Sequence, residues 1–151
     1  MTLSTATHLN FPGTARAALD FYQRVFGGQV MTTTYAEVGM PADAPDADKV
    51  VFGQLLADDG LCVMAYDIPG RDEPFTGSTR REHNATITDQ PFFVSLSAST
   101  LDEIAPYWER LGDGATIVEP LAASAWSPGF GMLTDRHGVT WAITVQSATT
   151  N

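Results

Sequence analysis

Basic side chains are scarce in this 151-residue chain: eight lysines and arginines stand against eighteen aspartates and glutamates, a formal charge of −10. A surface this acidic repels phosphate backbones, which excludes nucleic acid as an expected partner. It favours cationic small ligands and, at the least, keeps the protein in solution. Cysteine is scarcer still. The single Cys62 excludes an internal disulfide and fits a reducing compartment. Long apolar runs are missing too: no stretch approaches the roughly 20 residues that a membrane-spanning helix needs, so no membrane partner is expected. The opening MTLSTATHLN lacks the basic segment and apolar run of a signal peptide, and a cytoplasmic location is expected. No Gly-rich phosphate loop, Ser-His-Asp order or Cys-x-x-Cys pair occurs. The Asp58–Gly60 DDG reads as a turn and not as a calcium loop, since the remaining ligands are missing.

What is present is a 44% apolar share, enough for one good core over residues 1–151, built as one domain or as two small modules. The stretch His8–Gly28 sets the pattern. Leu9 and Phe11 alternate with His8 and Asn10, so the spacing predicts a strand with one apolar and one polar face. Thr14 or Gly13 can cap the helix that follows. Ala15, Ala18, Leu19, Tyr22, Val25 and Phe26 recur on one side at helical spacing, and Gly27 stands where a left-handed residue is usually needed.

Strands are then predicted over Gln29–Val38, Val50–Ala57 and Leu61–Asp67, with the proline- and aspartate-rich Met40–Asp48 as a loop and Asp58-Asp59-Gly60 as a hairpin turn. From Ile68 to Gln90 the pattern stops, and this stretch is expected to be a linker or lid loop. The opening order then recurs. Pro91–Ser97 reads as a strand and Thr100–Leu111 as a helix with a Thr100–Glu103 capping box. Pro106 is a misfit there: the helix bends, or it starts later than the box suggests. Ala115–Leu121, Trp126–Leu133 and Val139–Val145 are three more strands, the last two joined by the tight turn DRHG (Asp135–Gly138). Strand, helix and three strands have been read twice, over 6–67 and 91–147.

Two such βαβββ modules, with HLNFPGTARAALDFYQRVFGG at the start and WSPGFGMLTDRHGVTWAITV (Trp126–Val145) at the end, resemble the vicinal oxygen chelate superfamily (glyoxalase, bleomycin resistance and extradiol dioxygenase proteins), and within it the PhnB-like branch. The string aromatic–Gly-Met-Leu-Thr-Asp, two residues, Gly-Val-x-Trp carries most of that likeness. The resemblance implies an α+β fold in which two βαβββ modules form a mixed curved sheet around a cavity, and it implies a homodimer. It also implies a test, because metal-dependent members take one ligand from the first and one from the fourth strand of each module.

Strand alternation puts His8 at the first of these positions, or Thr7 after one step of slippage. The fourth-strand position, four beyond Gly60, is Met64, with Cys62 and Tyr66 on the same face. In the second module the equivalents are Phe93 (Pro91 if the register is two off) and, four beyond Gly138, Ala142. Only His8 is a good ligand; thioether, phenyl and methyl groups do not hold magnesium, zinc or iron(II). No metal and no other cofactor is expected, with His8 the one ligand if a site exists. His137 lies in the DRHG turn, solvated or part of a salt-bridged cap with Asp135 and Arg136, and His83 lies in the unmatched loop, a surface residue or a lid group reaching the cavity. Glu37, Glu73, Glu82 and Glu119 have no spacing that aims them at His8.

The sequence therefore suggests a metal-free PhnB-like protein binding a small organic ligand in its cavity. The candidate contacts are His8, Asn10, Cys62, Met64, Tyr66, Phe93, Ser95, Trp126, Phe130 and Ala142. Cys62 could be a nucleophile if His8 supplied a base, but a buried thiol acting as a small hydrophobe is the plainer reading. The alternative is a divalent-metal-dependent lyase, isomerase or dioxygenase; a third option is an interaction module.

Overall fold

The computed structural model describes residues 2–146; the expected domain ends at residue 1 and at 147–151 lie outside them. The chain divides into two compact units that meet between Phe75 and Thr76, and strand, helix and three strands occurs once in each.

In the first unit, β1 (Thr7–Phe11) leads into α1 (Ala15–Phe26), followed by β2 (Gln29–Thr34), β3 (Val50–Leu56) and β4 (Cys62–Asp67). The sheet order is β1-β4-β3-β2, with β1 parallel to β4 and the other neighbours antiparallel. The core is the one that alternation predicts. Leu9, Phe11, Leu55, Val63 and Ala65 are buried on the sheet, and Ala15, Ala18, Leu19, Tyr22, Val25 and Phe26 on the helix. Each large side chain among them contributes roughly 1.5–3 kcal/mol by leaving water. The helix ends where Gly27 and Gly28 take positive φ, and a Cβ on Gly28 would run into the Leu56 carbonyl.

Two local expectations change. Thr14 makes no side-chain cap; instead the buried Asp67, at the far end of β4, accepts from Ala15 N with Oδ1 and from Val50 N with Oδ2, both at 2.9 Å. A carboxylate there also meets the positive end of the helix. And β2 ends at Thr34, short of Val38, because Thr34-x-x-Glu37 forms a capping box. Thr34 N donates to the Glu37 carboxylate at 2.6 Å and Glu37 N to Thr34 Oγ1 at 3.3 Å, opening a short 3-10 turn over Ala36–Val38.

The second unit begins with a hairpin, β5 (Thr79–Glu82) and β6 (Ala85–Thr88), turned through His83 and Asn84 at positive φ. The stretch 68–90 thus contains regular structure that its hydropathy does not announce. Next come β7 (Val94–Ala98), α2 (Leu101–Leu111), β8 (Thr116–Ala122), β9 (Gly129–Thr134) and β10 (Thr140–Val145), in the order β7-β10-β9-β8 with β7 parallel to β10. Trp141, Ile143 and Val145 are buried and Ala142 and Thr144 half-buried, as alternation predicts. Gly131 is dictated by packing: a Cβ there would lie 2.8 Å from Leu121 Cα and 3.0 Å from the Trp108 ring.

The helix α2 settles the Pro106 alternatives in one respect, since it starts at the capping box. Thr100 Oγ1 accepts from Glu103 N at 3.2 Å and Glu103 answers on Ser99 N at 3.0 Å, and the helix runs on through the exposed Pro106. Pro106→Ala would restore an N–H toward the Asp102 carbonyl. It is expected to stabilise by about 1–2 kcal/mol, the helix gain less the freedom returned to the unfolded chain, read as a rise of about 3–8 °C in thermal midpoint. Among the described residues no helix is long and apolar enough to cross a membrane.

Candidate functional site

Five of the candidate residues share one surface of the first unit. His8 and Asn10 on β1 and Cys62, Met64 and Tyr66 on β4 all point away from α1. Register sets them in rows: His8 pairs with Met64, Met64 with Gln54, and Gln54 with Met31, while Asn10 pairs with Tyr66. The His8 and Tyr66 rings stack with centroids 5.4 Å apart and planes 14° from parallel. Toward the β2 edge the same surface opens into a groove of about 350 Å³ lined by Gln29, Met31, Gln54, Leu56, Ala57 and Asp58.

Cys62 lies beside an amide and not beside a base. Gln54 Nε2 donates to its sulfur at 3.3 Å, and an amide N–H cannot take a thiol proton. His8 is engaged two residues along the strand with Tyr66. Tyr35 donates to the Asp67 carbonyl at 2.7 Å. Burial first, and then the nearby Tyr66 and Asp67, push its phenol above the usual range and keep it a donor. Lys49 ties the loops at the strand ends together, 2.7 Å from Asp46 and 2.6 Å from Asp72. Its hydrogen bond, then that from Gly70 N, holds the Asp46 carboxyl below its ordinary range. With that carboxyl lowered, the tie is complete above the ordinary carboxylate range and is lost as pH falls through the lowered one.

In the second unit the corresponding surface carries the row Ser95, Ala142, Met132, Glu119, with Phe130 opposite Thr144 on the next row. The residue paired with Ala142 is Ser95, so the counterpart of His8 is Ser95 and not Phe93. Phe93 stands before β7 begins. The slip is two residues, which alternation cannot detect because it leaves every side chain on the same face. Trp126 is 91% exposed in the loop between β8 and β9 and does not join this row. His137 gives its backbone N–H to Asp135, while Arg136 turns away to Asp113 at 2.7 Å.

The β5–β6 hairpin lies over this surface. Thr86 Oγ1 donates to Met132 Sδ at 3.7 Å, and the Arg81 guanidinium carbon sits 5.1 Å from the Phe130 ring centroid. Gln90 Oε1 accepts from Thr140 at 2.6 Å and from Thr79 at 3.1 Å. Met132 is 2% exposed as a result. Arg81 is therefore a residue that sequence reasoning missed. The signal available was the His83-Asn84 pair between two short β-compatible runs, since Asn tolerates the positive φ of a tight hairpin turn.

The donor set does not fit a divalent metal. His8 is flanked by a thioether and a phenol ring, and Ser95 and Ala142 hold the matching places in the second unit. Among the described residues no group of three or more His, Cys, Asp or Glu side chains could hold an ion, and three protein ligands are about what a catalytic site needs.

Comparison with known proteins covers nearly the whole chain. Residues 8–143 match the family described as the Glyoxalase/Bleomycin resistance protein/Dioxygenase superfamily. Protein YjdN of Escherichia coli (strain K12) is 25% identical over 140 residues, spanning 91% of this chain and 92% of that protein. Protein PA1353 from Pseudomonas aeruginosa is similar in structure, with a TM-score of 0.73 and 25% identity over 97% of this chain and 99% of that one. A PhnB protein from Bacillus cereus shares the fold, with a TM-score of 0.65 and 24% identity over 95% of this chain and 100% of the other.

Proposed function

This chain belongs to the glyoxalase/bleomycin resistance protein/dioxygenase superfamily, and on that premise we propose that it is a PhnB-like, metal-free member that binds a small organic ligand. The observation that carries this reading is the company His8 keeps. A lone imidazole stacked on Tyr66 and paired with Met64 is suited to hold an organic molecule by stacking, dispersion and one hydrogen bond. It is poorly suited to grip a hard cation. Asn10, Gln54 and the Asp58-lined groove add polar contacts to the same surface, and the charge of −10 favours a cationic aromatic ligand.

Two measurements test this. Metal analysis of protein purified without chelator is expected to find no stoichiometric ion; a bound equivalent would restore the metal-dependent lyase, isomerase or dioxygenase reading. In a thermal-shift panel of cationic aromatic compounds, a ligand at about 100 times its Kd should add about 2.7 kcal/mol, or roughly 5–10 °C. Tyr66→Leu should reduce that shift by more than half. Failure of every compound at both low and high salt would overturn the cationic ligand. We also propose a homodimer, supported by the exposure of Met31, Phe52 and Leu56 on the same sheet of the first unit. A monomer by size exclusion at working concentration would overturn that part.

A further inference from the structure

We propose that Arg81 on the second unit's sheet receives the carboxylate of a small organic molecule, and that Glu119 holds the place while none is bound. The site belongs to the second unit alone and goes beyond the first-unit reading above, with a carboxylate as the group it takes. The starting point is an unmet donor. Arg81 Nη1 donates to Thr86 Oγ1 at 2.9 Å, but Nε is buried and has no hydrogen-bond acceptor among the described residues. The Glu119 Oε2 atom is 3.6 Å from it, close enough for ionic attraction and too far for a hydrogen bond. Folded proteins seldom leave a buried charged donor in that condition, because it has given up water without a replacement.

The surroundings say what would complete it. The Phe130 ring lies 5.1 Å from the guanidinium carbon, and this contact together with the Thr86 hydrogen bond holds the side chain in place. A guanidinium so held offers a rigid pair of N–H groups that matches the two oxygens of a planar carboxylate. Phe130, and Ala142 and Ser95 along the adjoining rows, can carry the organic body of such a molecule. Glu119 presents the same functional group from β8. Its side chain is 41% exposed, so it has room to withdraw when a better-placed carboxylate arrives. The overall acidity of the chain disfavours anions in general, so recognition must come from a local positive group, and Arg81 is placed to supply it.

The test uses the full chain, 15N-labelled, with benzoate, its neutral isostere benzamide and inorganic phosphate as probes. Benzoate is expected to move the Arg81 Nε–H resonance downfield and to bind about tenfold or more tightly than benzamide. Arg81→Met should abolish that preference, and Arg81→Lys should keep a part of it, which guards against loss of fold in the first variant. Glu119→Gln is expected to tighten benzoate binding by about threefold or more, where a purely structural ion pair would give no gain. If benzamide binds as well as benzoate, or Arg81→Met keeps the preference, or Glu119→Gln weakens binding, this proposal is overturned and the small-ligand reading stands. Phosphate binding as tightly as benzoate would overturn the organic carboxylate in favour of a bare anion. A protein that binds none of the three overturns the Arg81 site, while the first-unit reading is decided by its own thermal-shift panel.

Discussion

Asp135→Ala is expected to lower the unfolding free energy by about 3–5 kcal/mol, a large part of the 5–15 kcal/mol that a domain of this kind has in total. The carboxylate is 4% exposed and is committed on both oxygens. Oδ1 accepts from His137 N at 2.8 Å and Val139 N at 3.1 Å, closing the turn between β9 and β10, while Oδ2 accepts from the Trp141 indole at 2.8 Å. Trp141 is fully buried, so removing the acceptor strands its N–H where water does not reach. Two backbone N–H groups lose a charged acceptor at the same time. Urea unfolding followed by tryptophan fluorescence measures the loss, and a change below about 1 kcal/mol would show that water takes over all three donors. Asp135→Asn should fall between, because its amide can offer only one oxygen to three donors. The consequence reaches the site, since this hairpin carries Phe130, Met132 and Ala142.

Asp67→Ala should cost a similar amount, about 3–5 kcal/mol, for a different reason. Its two hydrogen bonds join α1 to the start of β3, and both partners, Ala15 and Val50, are buried. The variant removes the helix cap, the charge at the helix N-terminus and the tether of β3 in one step. Hydrogen exchange is the sharper measurement here: the Ala15 and Val50 amides should lose protection first and together. If they exchange as in the wild type, the carboxylate is not what holds them. Because Asp67 follows Tyr66 directly, loosening it should also weaken the His8–Tyr66 stack and any ligand that uses it.

Both carboxylates were invisible as anchors to a reading of pattern. Asp135 appeared within a recognisable string, and the string is now explained: the aspartate sits six residues before the tryptophan it hydrogen-bonds. Asp67 looked like the polar end of a strand, because its helix partner is 52 residues away. The hairpin at Thr79–Thr88 escaped for another reason. It is polar on both sides, so no apolar alternation marks it, and it is held over the second unit's sheet by contacts such as Arg81 over Phe130 and Thr86 on Met132.

What the sequence by itself determined is the repeat, the elements of its two βαβββ copies and the two faces of each of their sheets. Side chains alternate every second residue in a strand and recur every three or four in a helix, and those periods are written locally. Alternation put His8 and Asn10 on one face of their strand and Cys62, Met64 and Tyr66 on one face of theirs; the family resemblance is what joined the two faces into one surface. Only the tertiary structure decided the register that makes Ser95 the counterpart of His8, the anchoring by Asp67, and the placement of Arg81 between Phe130 and Glu119. Those are contacts between residues far apart along the chain, and a two-residue slip or a distant partner leaves no trace in local periodicity.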